Sequence, residues 1–277
     1  MPVGVDANNR RGPRIWWCLS GLLSFLPIHA AGHHATSVDS VPETVLDWVV
    51  SSYTPTVRAL IYARRYRSAD GIEDSGRIGD GGMMVVAMPD TPGTPALPGA
   101  EVEAIALRDL YPRRTTILTG PEAARARVLA VLPRSRWAHF ACHAASEVAN
   151  PSASRLLLFD HQYRPLTVVD VARLRLDDAE LAFLSGCTTV RTSLRLADEA
   201  VHLASGFQLA GYRHVIATLW PIDDRLAARV ASDFYSLLNT AGIADAAAES
   251  LHEATRRARQ LNPARPSAWA AYIHSGA

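Results

Sequence analysis

Two side chains in this sequence have the chemistry for nucleophilic catalysis and sit where it could be used. His143 ends the run W-A-H-F-A-C-H at 137–143, and Cys187 ends L-A-F-L-S-G-C at 181–187. Both runs are short and mostly apolar, the pattern by which a buried parallel strand delivers a residue to the rim of a sheet. In open α/β sheets, functional groups collect outside the carboxyl ends of the strands, so neighbouring strands ending in His and Cys put an imidazole beside a thiol. A thiol is mostly protonated at neutral pH and needs an imidazole or a helix N-terminus to favour the thiolate. The chemistry implied is acyl transfer. The Cys187 thiolate attacks a peptide carbonyl, His143 protonates the leaving amine, and the backbone N–H groups of Cys187 and Ala144 receive the oxyanion.

Other reactive side chains read differently. Cys142 adjoins His143, but successive strand residues face opposite ways, which makes it a core thiol. His139 shares the parity of His143 and reads as a core histidine able to support it. His29, His33 and His34 with Cys18 lack any recognised metal-ligand spacing, so no metal and no cofactor are expected. Asp223 and Asp224 stand before a helical pattern, where capping is their ordinary role.

The elements that must position the pair alternate regularly. Strands are expected at 83–88, 115–118, 137–142, 156–160, 180–185 and 214–219, and 269–274 is expected to close the sheet. Helices are expected at 55–66, 101–110, from Pro121 to 132, from 167 to 174 with Thr167 and Asp170 as a capping box, at 196–210 ended by Gly211, from 223, and at 243–261. This rhythm predicts a mostly parallel sheet covered by helices on both faces. The stretch 68–82 is rich in Gly, Asp and Ser and reads as a loop inserted within one domain.

Composition narrows the field further. The 277 residues suffice for one large α/β domain, and 28 basic against 27 acidic residues point to neither nucleic acid nor a membrane surface. All the basic residues in the Lys+Arg count are Arg, which excludes Schiff-base lysine chemistry and a phosphate-loop lysine. Three cysteines make no disulfide framework, so a reducing cytoplasm is expected. Near the N-terminus, Arg10, Arg11 and Arg14 before the apolar run 15–28 imitate a secretory signal. Pro27 and the tandem Trp16-Trp17 argue against one, and the run is too interrupted to span a membrane.

Several of these stretches resemble one family. F-A-C-H at 140–143, L-S-G-C at 184–187 and F-Q-L-A-G-Y-R-H-V-I-A-T-L-W-P-I-D-D at 207–224 are similar to the CHAT domain, a caspase-like and separase-like cysteine peptidase module. The likeness extends through L-P-G-A-E-V-E at 97–103, Gly120, 151–158 and 269–276. It implies a single caspase-like three-layer α/β domain over 1–277, N-terminally short, with the 16–32 segment forming a strand, a Gly turn and a second strand. It implies a His143–Cys187 dyad in a cysteine endopeptidase acting on protein or peptide substrates. By analogy with separase-like enzymes that cleave after Arg, Asp223 or Asp224 would line a pocket for a basic side chain. Control by a sensor module or partner of tetratricopeptide type is also implied. Where the family usually has Gly after its histidine, this chain has Ala144. Gly permits backbone angles that Ala resists. That departure favours a rival reading, a caspase-like interaction module with weak or no catalysis. A third, a Cys-His acyltransferase of another kind, predicts activity on small esters or amides.

Overall fold

The computed structural model describes residues 12–34, 43–65, 82–145, 150–185 and 197–277. Cys187 and the start of the helix expected from 196 lie outside them, as does the stretch 68–82 apart from Gly82.

Eight strands make the main sheet: β1 (Arg14–Trp17), β2 (Val50–Tyr53), β3 (Gly82–Ala87), β4 (Thr115–Thr119), β5 (Ser135–Ala141), then, after three short strands of a side sheet, β9 (Leu181–Leu184), β10 (His214–Thr218) and β11 (Tyr272–Gly276). The side sheet is β6 (Ala144–Ala145), β7 (Arg155–Leu156) and β8 (Leu166–Thr167). The order across the main sheet is β1-β2-β11-β10-β9-β5-β3-β4. Its neighbours pair in parallel except β10 with β11, where His214 faces Gly276 and Thr218 faces Tyr272.

Strands buried on both faces read as unbroken apolar runs, and β9 (L-A-F-L) is buried throughout. Alternation then sorts its residues between two cores. Ala138, Phe140, Ala182 and Leu184 join one core with α3 (Arg125–Val131), α4 (Val168–Ala172) and α5 (Ala197–Ala210). Trp137, Leu181 and Phe183 join the other with α2 (Pro98–Leu110), α6 (Asp224–Ala241) and α7 (Ala247–Leu261). A further helix, α1 (Val57–Arg65), packs near β11. The Thr167–Asp170 capping box is present on α4. Gly211 ends α5 at φ 128°, where a Cβ would lie 2.3 Å from the Leu176 carbonyl oxygen, so only glycine fits.

Three expectations are corrected. The closing strand is Tyr272–Gly276, and it lies inside the sheet, between β10 and β2; Trp269 belongs instead to the helical turn Pro266–Trp269. After β1 and the Gly21 turn at φ 58° the chain makes 3₁₀ turns at Gly21–Phe25 and Ile28–Ala30, and a strand returns only at Gly32–His33, paired antiparallel with Glu43–Thr44 outside the main sheet. The strand expected over 156–160 shortens to Arg155–Leu156 and turns away to pair antiparallel with β6. In each case tertiary pairing overrides an apolar run that fits strand or helix equally well.

Beneath β10 and β11 lies a buried chain of polar groups. His214 Nε2 is 3.3 Å from Asp245, its Nδ1 is 3.1 Å from His274 Nε2, and His274 Nδ1 is 2.9 Å from Ser52 Oγ, which also accepts from Arg14. With both rings neutral, every ring nitrogen has a matching partner. Burial lowers the pKa of each; nearby Arg14 and His214 push His274 down further, and at His214 the lowering by Arg213 and Arg14 opposes the raising by Asp245. His29, buried against Tyr53, is pushed down to about 4 by burial and by His252.

These histidines are neutral in the fold but take up protons below about 6.5 once unfolded. Their contribution to stability is therefore complete above that pH and is lost as pH falls from about 6.5 toward 4. The melting temperature should drop between pH 7.5 and pH 4.5, with His29 alone accounting for on the order of 3 kcal/mol at the acid end. A pH-independent melting temperature over that range would show that the buried rings are already charged.

Candidate active site at the carboxyl ends of the central strands

The pairing of β5 with β9 decides what stands at their ends. Phe140 is opposite Leu184, and Ser185 N–H donates to the Phe140 carbonyl at 2.9 Å, so the ladder stays in register to the last described residue before Cys187. His143 follows two residues past the end of β5 and is 1% exposed. Parallel neighbours lie about 4.8 Å apart, so the two chains leave the sheet side by side.

The histidine is held by backbone. Its Nε2 is 2.7 Å from the Pro95 carbonyl oxygen, which can only accept, so Nε2 carries the proton. Nδ1 is left with its lone pair, buried and with no hydrogen-bond partner among the described residues. Burial lowers the His143 pKa, opposed by the Pro95 carbonyl and by the negative charge of Asp224, while His161 lowers it slightly. The ring is thus a neutral base at neutral pH.

Ala144 lies in β6, opposite Leu156, with the Leu157 N–H donating to the His143 carbonyl at 2.8 Å. Among the described non-glycine residues only Arg113 has a positive φ, so Ala144 adopts angles open to any residue.

The two aspartates do backbone work. Asp223 caps α6, its Oδ1 accepting from Arg225 N–H at 3.1 Å and Leu226 N–H at 3.2 Å. Asp224 Oδ2 accepts from Gly99 N–H at 2.6 Å and so caps α2, whose own N-cap residue, Leu97, supplies no side-chain bond. The approach is so close that a Cβ on Gly99 would lie 2.6 Å from Asp224 Oδ1.

Cys142 is 1% exposed within the α3–α5 core, and burial, with a smaller contribution from Glu103, pushes its thiol up to about 12. It is inert at neutral pH. His139 is a satisfied core histidine, 2.8 Å from Glu103 and 3.2 Å from the Tyr235 hydroxyl. Among the described residues no group of three or more His, Cys, Asp or Glu side chains could hold a metal. Among them too, no helix is long and apolar enough to cross a membrane.

Sequence reasoning missed Pro95 and Glu103. A backbone acceptor leaves no mark in residue type. Glu103 did leave one: it falls on the α2 stripe of Ala100, Ala104 and Leu107, where a carboxylate interrupts an otherwise apolar face.

This architecture, a mostly parallel sheet with helices on both faces and a histidine at the end of a central strand, is that of the caspase-like cysteine peptidases. The chain belongs to the CHAT domain family, whose model matches residues 2–277. Its fold is similar to that in the separase–securin complex of Saccharomyces cerevisiae, with a TM-score of 0.56 at 12% identity over 84% of this chain and 14% of the separase-complex chain. It is also similar to the Arg-specific cysteine proteinase gingipain R, with a TM-score of 0.53 at 10% identity over 82% of this chain and 53% of that one. The complex of the pro- and mature domains of the Porphyromonas gingivalis enzyme gives 0.52 at 11% identity, over 87% and 57%. The chain therefore spans about a seventh of the separase-complex chain and about half of the gingipain chains. No curated protein sequence is significantly similar to it.

Asp224→Asn keeps an oxygen for Gly99 but removes the charge that raises the His143 pKa. The His143 ring resonance, assigned by its loss in His143→Ala, should then titrate at lower pH in NMR. An unmoved midpoint would mean that this charge does not reach the ring.

Proposed function

We propose that the chain is a cysteine endopeptidase that uses His143 and Cys187 as a dyad, within a single CHAT domain carrying the 68–82 stretch as an insertion. The observation that carries this reading is the His143 ring, fixed through Nε2 by a carbonyl and keeping Nδ1 unpaired beside the strand that leads to Cys187. Cys187 lies two residues beyond Ser185, within about 7 Å of chain.

In the reaction, Nδ1 takes the Cys187 proton and the thiolate adds to the scissile carbonyl. The oxyanion is received by the Ala144 and Cys187 N–H groups. The imidazolium returns its proton to the leaving amine as the C–N bond breaks. Water, deprotonated by the same nitrogen, then hydrolyses the thioester and restores the thiol.

A polypeptide substrate fits the surroundings better than a small ester. An apolar cleft of about 550 Å³, walled by Trp220, Leu26, Ile28 and Pro266, opens on the side of the sheet edge where β10 ends. Trp220 is four residues from Asp224, whose charge acts on His143. A preference for Arg would rest on Asp223 and Asp224, in line with the Arg-specific gingipain.

One observation favours control by a partner. His143 is 1% exposed, so a substrate would reach the ring only as the site opens, which favours control by a sensor module or partner protein. The separase–securin and gingipain pro-domain complexes are protein assemblies of similar folds, which supports a protein as that partner. A permanently closed site would make the chain an interaction module.

Limiting iodoacetamide across pH, read by mass spectrometry, tests the dyad. Cys187 should react ahead of Cys18 and Cys142, with an apparent pKa below the ordinary thiol value of about 8.5, and His143→Ala should abolish the advantage. If Cys187 reacts no faster than Cys18, the dyad is not assembled in the isolated chain. Once the dyad is shown, Arg and Leu reporter peptides compared in Asp223→Ala and Asp224→Ala decide the basic pocket.

A further inference from the structure

We propose that Glu103 is a positioning residue, a carboxylate clamp that joins the ends of the two strands feeding the dyad; the inference rests on the His143–Cys187 reading. Glu103 lies on α2 and is 4% exposed. Its Oε1 accepts from the Ser185 hydroxyl at 3.0 Å, and its Oε2 accepts from His139 Nε2–H at 2.8 Å. Ser185 is the last described residue before the stretch containing Cys187, and His139 lies four residues before His143. One side chain on one helix therefore reaches both strands close to where the reactive residues leave the sheet.

The network continues in a consistent donor direction. The Tyr235 hydroxyl, 3.2 Å from His139 Nδ1, donates to it, which leaves Nε2–H for Glu103. Tyr111 in turn donates to the Tyr235 carbonyl at 3.2 Å. The clamp is thereby anchored on α6 as well as α2.

Packing alone does not call for a carboxylate here. Among the described residues, its ion-pair partner is His139, and no arginine pairs with it. An apolar side chain of similar volume would fill the site without the cost of burying a charge. A carboxylate, with two acceptor oxygens, takes a hydrogen bond from a serine and a histidine on different strands at once. Beside it, a void of about 20 Å³ lined by Glu103, Cys142, Ser185 and Asp224 has room for about one water. The strand ends thus have space to shift if the clamp is released.

Ser185→Ala removes one arm, Ser185→Thr keeps the hydroxyl, and Glu103→Leu fills a similar volume but removes both arms. Two readouts are taken on the full chain: the Cys187 alkylation rate against pH, and amide hydrogen exchange of the 181–187 segment. Ser185→Ala and Glu103→Leu should slow Cys187 alkylation by roughly 10- to 100-fold and speed exchange in that segment, with exchange elsewhere unchanged. Ser185→Thr should restore both. Should Glu103→Leu fail to fold, the Ser185 pair decides alone. If the wild type shows the His143-dependent advantage and Ser185→Ala matches it in rate and exchange, the clamp is refuted and the dyad stands. If the wild-type Cys187 has no such advantage, the dyad is not assembled in the isolated chain and the positioning role falls with it.

Discussion

The hydrogen-bond ladder between β5 and β9 is what the rest of the site depends on. Parallel strands pair in evenly spaced bonds, so with Phe140 opposite Leu184 the ladder carries Ser185 N–H onto the Phe140 carbonyl. A slip by one residue would turn Phe183 out of the core it shares with Phe234, Tyr235 and Tyr272, and would send His139 to the opposite face. Core packing and site geometry are therefore fixed by the same register, and the large burial energy of the aromatic cluster protects the small displacements that chemistry would feel.

Around that ladder the polar groups are arranged by economy of partners. The imidazole of His143 is oriented by a carbonyl, which adds no charge, so the ring stays a base rather than becoming a stable cation. Asp224 serves two purposes, capping a helix that is not its own and contributing a field at the ring. The CHAT family relationship and the likeness to separase and gingipain give the fold. The assignment of roles within it comes from contacts of this kind.

Much of this was legible in the sequence, for identifiable reasons. The parity of His139 and His143, the core placement of Cys142 and the cap at Asp223 all follow from periodicity and residue type. The place of Tyr272–Gly276 inside the sheet was not legible, because one strand's sequence does not state its neighbours. The role of Pro95 was hidden because a carbonyl is present in every residue. Position gave Asp224 a cap and analogy gave it a pocket, and only the approach of Gly99 shows that the helix it caps is not its own.

The inserted strand β11 also sets a timetable. β2 reaches the rest of the sheet through β11, with Ser52 bonded to His274 across 222 residues and Trp16 to the Gly276 carbonyl across 260. During synthesis, at about 5–20 residues per second, the β2 edge waits on the order of tens of seconds for its partner. The strands on the other side, β10-β9-β5-β3-β4, are complete by Thr218 and can pair first. The nascent chain thus carries a nearly finished half-sheet and an unsatisfied edge at once. Contacts of such long range make the final closure slow, and it is at this step that a stalled chain would be exposed to aggregation or capture by chaperones.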